Sequence, residues 1–181
     1  MNLLCRGIAD WCKKNGAILE EDYPIVLYGI QVVLNTSLKL LGIFLIGALL
    51  HRLPAVLLST AVFCSMRYWT GGWHSESHMG CFSVMLIPCV GSPLLAGING
   101  EWVPWVLGIM AVYSVYKVWR YAPCNSKVNP IEDEKVLKLK RIGSIAEVVI
   151  IVGGVILTGL SMEIQWLMGF SLFVDAILIS D

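Results

Sequence analysis

Long apolar segments follow one another along almost the whole chain, and they restrict the folds that it can adopt. Hydrophobic residues make up 57% of the 181 residues and charged residues only 14%, whereas a soluble domain carries about 25% charged residues. Six apolar segments stand out, namely Ile25–Leu50, Pro54–Met66, Phe82–Ile98, Trp102–Trp119, Ile142–Leu160 and Ile164–Ile179. Because a helix of about 20 apolar residues crosses a bilayer, the sequence predicts an all-α polytopic membrane protein with about six transmembrane or re-entrant helices.

The segments differ in length, which leaves the number of full crossings open. The first, fourth and fifth reach the length of a spanning helix, whereas the second, third and sixth are shorter. Short segments tilt, thin the bilayer locally or re-enter on the same side. Residues 1–181 are predicted as one integral membrane domain. Within it, residues 1–22 form an interfacial helix and linker, residues 67–81 a candidate catalytic loop, and residues 120–141 a basic cytoplasmic loop.

The beginning of the chain has an amphipathic pattern. Ile8, Trp11 and Cys12 fall on one face of a helix, and Leu4 lies near that face. The pattern is typical of a short helix that lies on the membrane surface. A frayed polar terminus is the alternative, and the sequence does not decide between the two.

The distribution of Lys and Arg predicts the orientation of the spans. With six spans and the amino terminus inside, ten of the thirteen basic residues fall on the cytoplasmic side. They lie in residues 1–22, at Arg67 and in the loop 120–141, whose segment Ile131–Leu139 is compatible with a short helix. The formal net charge is zero, and no nucleic-acid partner is expected.

A polar segment between the second and third apolar segments holds the residue types of thiol chemistry. It contains His74 and Cys81, on the side of the membrane where thiols stay reduced. In one straight helix these side chains would lie about 10 Å apart along the axis. Gly71 and Gly72 allow a bend instead, after which a serine caps a helix that carries Cys81 in its early turns. There the helix N-terminus favours the thiolate and His74 can take the proton, so Cys81 and His74 are a candidate catalytic dyad.

Two other interpretations of these residues stay open. A single Cys and a single His near helix ends are often structural. His74 and His78 are four positions apart, which suits one metal ion on a helix, with Cys81 as a further ligand. However, the order of residues misplaces Glu76 for the general base of a zinc peptidase, and no metal or other cofactor is predicted.

Polar residues in the first apolar segment form a second candidate group. Gln31, Asn35 and Lys39 are spaced four apart and share one helical face. They either hydrogen-bond between helices or place Gln31 where it can donate to a developing oxyanion. Arg67 either anchors a helix end at the headgroups or binds a substrate carboxylate or backbone.

The same group supports an alternative function, a small membrane transporter or peptide exporter without proteolytic activity. In that case Gln31, Asn35 and Lys39 line a path across the membrane. Such a function would survive Cys81→Ser and fail on changes at those three positions, whereas a peptidase would behave in the opposite way.

Several motifs together resemble the accessory gene regulator B (AgrB) family, and the resemblance covers essentially the whole chain. The motifs are Arg67-x3-Gly71-Gly72-x-His74-x6-Cys81, Tyr121-Ala122-Pro123, Asn129-Pro130-Ile131 before a basic stretch, and Gly29-Ile30-Gln31-Val32 in the first span. The His/Cys spacing alone is a weak signal. Combined with the Tyr-Ala-Pro loop at the right distance, it is fairly specific.

The resemblance implies a membrane-embedded cysteine endopeptidase with Cys81 as the nucleophile and His74 as the base. Members of the family act in the cell membrane of Gram-positive bacteria. They cleave the charged C-terminal tail from a short precursor peptide, AgrD, and close the remainder into a thiolactone, the autoinducing peptide of quorum sensing. An AgrD-like partner, a homodimer and a cytoplasmic active site are implied as well. Lys127 is a departure, because it stands alone before Asn129-Pro130, where members often carry a denser Lys cluster.

Overall fold

The computed structural model describes residues 2–72, 78–98, 100–124 and 133–179. Within these ranges the chain is helical and contains no β-strand, which confirms the all-α prediction. The helices are α1 (Asn2–Lys14), α2 (Tyr23–Leu49), α3 (Leu53–Thr70), α4 (His78–Leu86), α5 (Ser92–Leu95), α6 (Val103–Tyr121), α7 (Glu134–Thr158) and α8 (Met162–Leu178). A π-helical turn, Ile87–Gly91, joins α4 to α5.

The helices follow the predicted apolar segments in order, with α4, the π-helical turn and α5 together forming the third. Of the helices in the described ranges, α2 is the one that is long and apolar enough to cross a membrane by length and composition. The run Met79–Leu95 is apolar but shorter. α7 has 25 residues, but Lys and Arg occupy its first turns. The number of crossings therefore stays a prediction.

The basic loop differs from expectation at its carboxyl end. In place of a separate short helix over Ile131–Leu139, the described residues from Glu134 onwards are the first turns of α7. The Asp133 side chain accepts a hydrogen bond of 2.8 Å from the backbone N–H of Lys135 and so caps the helix. No Gly or Pro occurs between Glu134 and Arg141 to stop the helix before the apolar segment.

Two prolines shape the third apolar segment. Pro88 and Pro93 have no N–H, so the carbonyls four residues before them lose their α-helical donors. The backbone between them widens into the π-helical turn, in which the Ser92 N–H donates to the carbonyl of Ile87. The run Met79–Leu95 thereby passes both prolines without ending.

The first of two compact units, Met1–Gly42, holds α1 and the beginning of α2. The hydroxyl of Tyr23 donates to Asp10 at 2.7 Å, and the Lys13 ammonium donates to Glu20 at 2.5 Å. The hydrogen bond and the opposite charge raise the pKa of Lys13 and lower the pKa of Glu20. These contacts fix α1 to the start of α2.

The apolar face predicted for α1 is present on the surface of this unit. Leu4 is 60% exposed and Trp11 is 66% exposed, and Ile8 lies between them on the same face. Cys5 and Ala9, on the other side of the helix, are buried. The face is available to a lipid surface, and its membrane contact stays a prediction.

The second unit, Ile43–Asp181, is built around α8, which packs against α3, α6 and α7. Arg52 before α3 pairs with Glu163 in the first turn of α8 at 3.1 Å, and both side chains are about half exposed. At the other end, Thr70 in α3 contacts Asp175 in α8. α3 and α8 are therefore parallel, and their carboxyl ends lie together. The core between the helices includes Val62, Met66, Val118, Val148, Leu172 and Ile179.

Candidate active site

Three of the four predicted site residues lie in the described part of the chain. Arg67 is in the last turn of α3 and Cys81 is in the first turn of α4. Gln31 is a half-buried residue of α2 in the first compact unit. His74 lies outside the described residues, as does the side chain of His78. The Cys81–His74 dyad and the metal alternative both stay predictions.

Cys81 is the fourth residue of α4, and its side chain is half-buried. The first turn of a helix carries backbone N–H groups without helical acceptors, and the aligned peptide dipoles favour negative charge there. This position is the one expected from the sequence, in the early turns of the helix that follows the glycine-bearing bend. A thiol so placed is partly open to a substrate.

A buried ion pair fixes Arg67 on α8. Arg67 Nη1 lies 3.8 Å from Asp175 Oδ1, and the exposed fraction of the two side chains is 15% and 0%. The other carboxylate oxygen of Asp175 lies 2.9 Å from the hydroxyl of Thr70. Asp175 therefore contacts two residues of the last turn of α3 at once.

The hydroxyl of Thr70 has two acceptors within 2.9 Å, Asp175 Oδ2 and the carbonyl of Met66. A hydroxyl donates one proton, so it serves one of the two at a time. An ionised carboxylate has no proton of its own to donate, and two oxygens without a shared proton repel each other. With Asp175 ionised beside Arg67, the Thr70 hydroxyl therefore donates to Asp175.

Gly71 and Gly72 make the turn that ends α3, with φ of +66° and +106°. A Cβ at Gly71 would lie 2.5 Å from the carbonyl oxygen of Cys124, and a Cβ at Gly72 would lie 2.6 Å from that of Leu178. The N–H of Cys124 donates to the carbonyl of Thr70 at 2.8 Å. The turn is thus enclosed between the segment after α6 and the last turn of α8, and no side chain fits in either place.

α7 contacts the same end of α3 from a third direction. The Lys140 ammonium donates to the carbonyl of Tyr68 at 2.9 Å and lies 5.0 Å from the centre of the Tyr68 ring. The ring of Trp69 lies so close to Gly143 that a Cβ there would be 2.2 Å from the ring. The start of the predicted catalytic loop is therefore held by α7, by α8 and by the segment after α6.

Arg67 interacts electrostatically with other groups besides its ion-pair partner Asp175. The guanidinium group interacts electrostatically most strongly with Asp175, and also with the thiols of Cys124 and Cys81. Arg67 is therefore a charged group shared by the ion pair with Asp175 and by the surroundings of the two thiols.

Asp175 is the residue of this site that no sequence motif singles out. It lies in the last part of the sixth apolar segment, between Val174 and Ala176. An ionisable residue inside an apolar segment is costly and usually has a specific partner. That rule could have drawn attention to Asp175, although not to Arg67 as its partner.

The polar stripe of α2 is present as the spacing predicts. Gln31, Asn35 and Lys39 are all half-buried, whereas the intervening Val32, Val33 and Leu38 are exposed. The three polar residues therefore share the less exposed side of the helix. Both roles proposed for Gln31, in packing or at an oxyanion, stay predictions.

Comparisons with known proteins agree on one family. The family model described as accessory gene regulator B matches residues 5–179. An AgrB-like protein of Clostridium perfringens strain SM101 is 26% identical over 131 residues, which cover 69% of this chain and 61% of the relative. AgrB-like protein 2 of Clostridium perfringens strain 13 is 25% identical over 131 residues, which again cover 69% of this chain and 61% of the relative. The chain thus spans about three fifths of the length of these curated relatives. No solved structure is significantly similar to it.

Proposed function

This chain belongs to the accessory gene regulator B family, and from that membership we propose that it matures the peptide signal of a quorum-sensing system. The proposed activity is that of a cysteine endopeptidase in the bacterial cell membrane, with its active site on the cytoplasmic side. Its substrate is a short, AgrD-like precursor peptide with a charged C-terminal tail. Its product is a thiolactone, the cyclic autoinducing peptide.

The observation that supports this proposal best is the position of Cys81. Its half-buried thiol is in the first turn of α4, within electrostatic reach of Arg67. Since the chain matches the family over residues 5–179, Cys81 is the proposed nucleophile.

The proposed reaction has two acyl-transfer steps. The Cys81 thiolate attacks the carbonyl carbon before the tail, the C–N bond breaks, and His74 gives the leaving amine its proton. A thioester between the signal segment and Cys81 remains. His74 then takes the proton of a cysteine thiol within the precursor, whose sulfur attacks this thioester, closes the ring and returns the Cys81 thiolate. Neither step consumes water.

Ring closure depends on where the precursor is held. One thioester replaces another, so the exchange releases little free energy and has to compete with hydrolysis. Holding the internal thiol next to the acyl carbon raises its effective concentration, and a site at the membrane edge limits the access of water. In this proposal the charge of Arg67 lies near the reacting thiol, and the bilayer binds the precursor leader. A homodimer is the proposed assembly.

Incubation of the purified protein, in lipid vesicles, with a candidate precursor in H₂¹⁸O tests the reaction. We expect mass spectrometry to show a released tail and a cyclic peptide whose masses add up to that of the precursor. Because no water enters either step, the cyclic product should carry no ¹⁸O. A linear product with ¹⁸O at its new carboxylate would instead mean that the chain is a simple hydrolase. An intact precursor would contradict the proposed activity altogether.

A further inference from the structure

Asp175 has no part in the bonds that the proposed reaction makes and breaks, yet its surroundings are unusual. Its side chain is fully buried in α8, and both of its oxygens face the last turn of α3. Burying a carboxylate costs free energy unless a partner compensates it. Apolar residues of similar volume often replace a buried ion pair without loss of stability. Stability alone is therefore a poor explanation for this pair.

The two contacts of Asp175 restrain different parts of the α3 end. The ion pair restrains the guanidinium group of Arg67, which interacts electrostatically with the thiol of Cys81. The hydrogen bond restrains Thr70, whose carbonyl accepts from Cys124 and whose successors are Gly71 and Gly72. Together they determine where the chain leaves α3.

One turn further along α8, the carbonyl oxygen of Leu178 lies against Gly72. The backbone of Gly72 is therefore also enclosed by α8. His74 follows Gly72 by two positions in the sequence. The carboxyl end of α8 thus contacts both the side chain of Arg67 and the backbone of Gly72, which precede the proposed dyad in the sequence.

We propose that Asp175 is a positioning residue, which acts through Arg67 and Thr70 to hold the end of α3 in the arrangement that the thiol chemistry of Cys81 requires. The catalytic part of this inference rests on the proposed function. The effect of Asp175 on the reactivity of the Cys81 thiol can be measured without any precursor. An experiment can therefore contradict the proposed peptidase activity without contradicting the effect of Asp175 on the Cys81 thiol, and the reverse.

The first test compares three variants of the protein in vesicles. Asp175→Asn keeps an acceptor for Thr70 but removes the charge opposite Arg67, and Asp175→Glu restores that charge. Glu163→Gln is the matched control, because it breaks an ion pair between the same two helical regions at their other end.

We expect Asp175→Asn to lower kcat for tail release by about 10- to 100-fold, the loss that a small misplacement of catalytic groups produces. KM should change much less, because Asp175 does not touch the peptide. Asp175→Glu should recover part of kcat, and Glu163→Gln should leave both constants unchanged. If Glu163→Gln loses kcat to the same extent, Asp175 has only a structural role and the proposal is wrong.

The second test measures alkylation of Cys81 by iodoacetamide, followed by mass spectrometry of the peptide that contains it. Cys12, in the first compact unit, provides the reference rate within the same molecule. We expect Asp175→Asn to slow the alkylation of Cys81 relative to Cys12, and Glu163→Gln to leave the ratio unchanged. An unchanged ratio in Asp175→Asn would overturn the proposal, whether or not the protein cleaves a precursor. A slower Cys81 in a protein that cleaves nothing would uphold the positioning and contradict the peptidase.

Thr70→Val decides the case if Asp175→Asn does not fold. This change keeps the ion pair and nearly the same volume, and it removes only the hydroxyl that contacts Asp175. We expect Cys81 alkylation to fall relative to Cys12, and kcat to fall with little change in KM. Unchanged alkylation and kcat in Thr70→Val, beside an unfolded Asp175→Asn, would show a purely structural role and overturn the proposal.

Discussion

Cys81→Ala protein should release no measurable tail from a precursor that the unsubstituted protein cleaves. Removing a nucleophile lowers turnover by at least about 10⁴-fold, because the charge and the binding surface that remain cannot form the thioester. The fold should persist, since the side chain is half-buried, the change deletes one sulfur atom, and alanine favours helix. Mass spectrometry of the tail, together with the thermal unfolding midpoint, measures both expectations.

Cys124→Ala is the matched control for this experiment. Its thiol is also within electrostatic reach of Arg67, and its backbone N–H, which donates to Thr70, survives the substitution. We expect tail release to fall by no more than a few-fold. Undiminished release by Cys81→Ala, or an equal loss in both variants, would remove Cys81 from its proposed role.

Gly72→Ala should produce the largest loss of stability among the substitutions to alanine at the end of α3. A φ of +106° is rarely adopted by an L residue, which costs about 1–3 kcal/mol. The new Cβ would lie 2.6 Å from the carbonyl oxygen of Leu178 and 2.8 Å from Arg67 Nη1, and relieving such overlap costs about 1–3 kcal/mol more. We therefore expect the free energy of unfolding to fall by about 2–6 kcal/mol. Tail release should fall with it, because Arg67 has to move.

Two other glycines separate the causes of this loss. Gly16 has a φ of +69°, but a Cβ added there would meet no atom within 4 Å, so Gly16→Ala carries backbone strain without overlap. Gly108 in α6 has neither. Thermal unfolding of the three variants in the same lipid should place Gly108→Ala nearest to the unsubstituted protein, Gly16→Ala next and Gly72→Ala last. If Gly72→Ala unfolds at the same temperature as Gly16→Ala, the enclosure of the turn by α8 is not what requires glycine.

The helices could be predicted from the sequence because each apolar segment is a continuous local pattern. α2 and α6 begin and end within two residues of the predicted segments. The start of α7 could not be predicted in this way, because its charged first turns look like loop in composition although nothing in them breaks a helix. The π-helical turn Ile87–Gly91 is not predicted either, since prolines indicate a disturbed helix but not the form that the backbone then takes.

The site could be predicted only where its signals are local. Cys81 in an early helical turn, and a bend at Gly71-Gly72, follow from the glycines and from the polar segment itself. The pairing of Arg67 with Asp175 joins the residue after the second apolar segment to the sixth segment, and no periodicity within either segment carries that information. The sequence indicates that such a buried acid needs a partner, but only the packing of α3 against α8 selects which one.

The same pairing has a consequence for the order of events during biosynthesis. Thr70 and Asp175 are 105 positions apart, so a ribosome that adds about 5–20 residues per second completes α8 roughly 5–20 s after α3. Until then the carboxylate that holds the end of α3 has not been made. A nascent chain can therefore contain its earlier helices and still lack the arrangement around Cys81. The full reactivity of that thiol should therefore arise only when the last helix is complete.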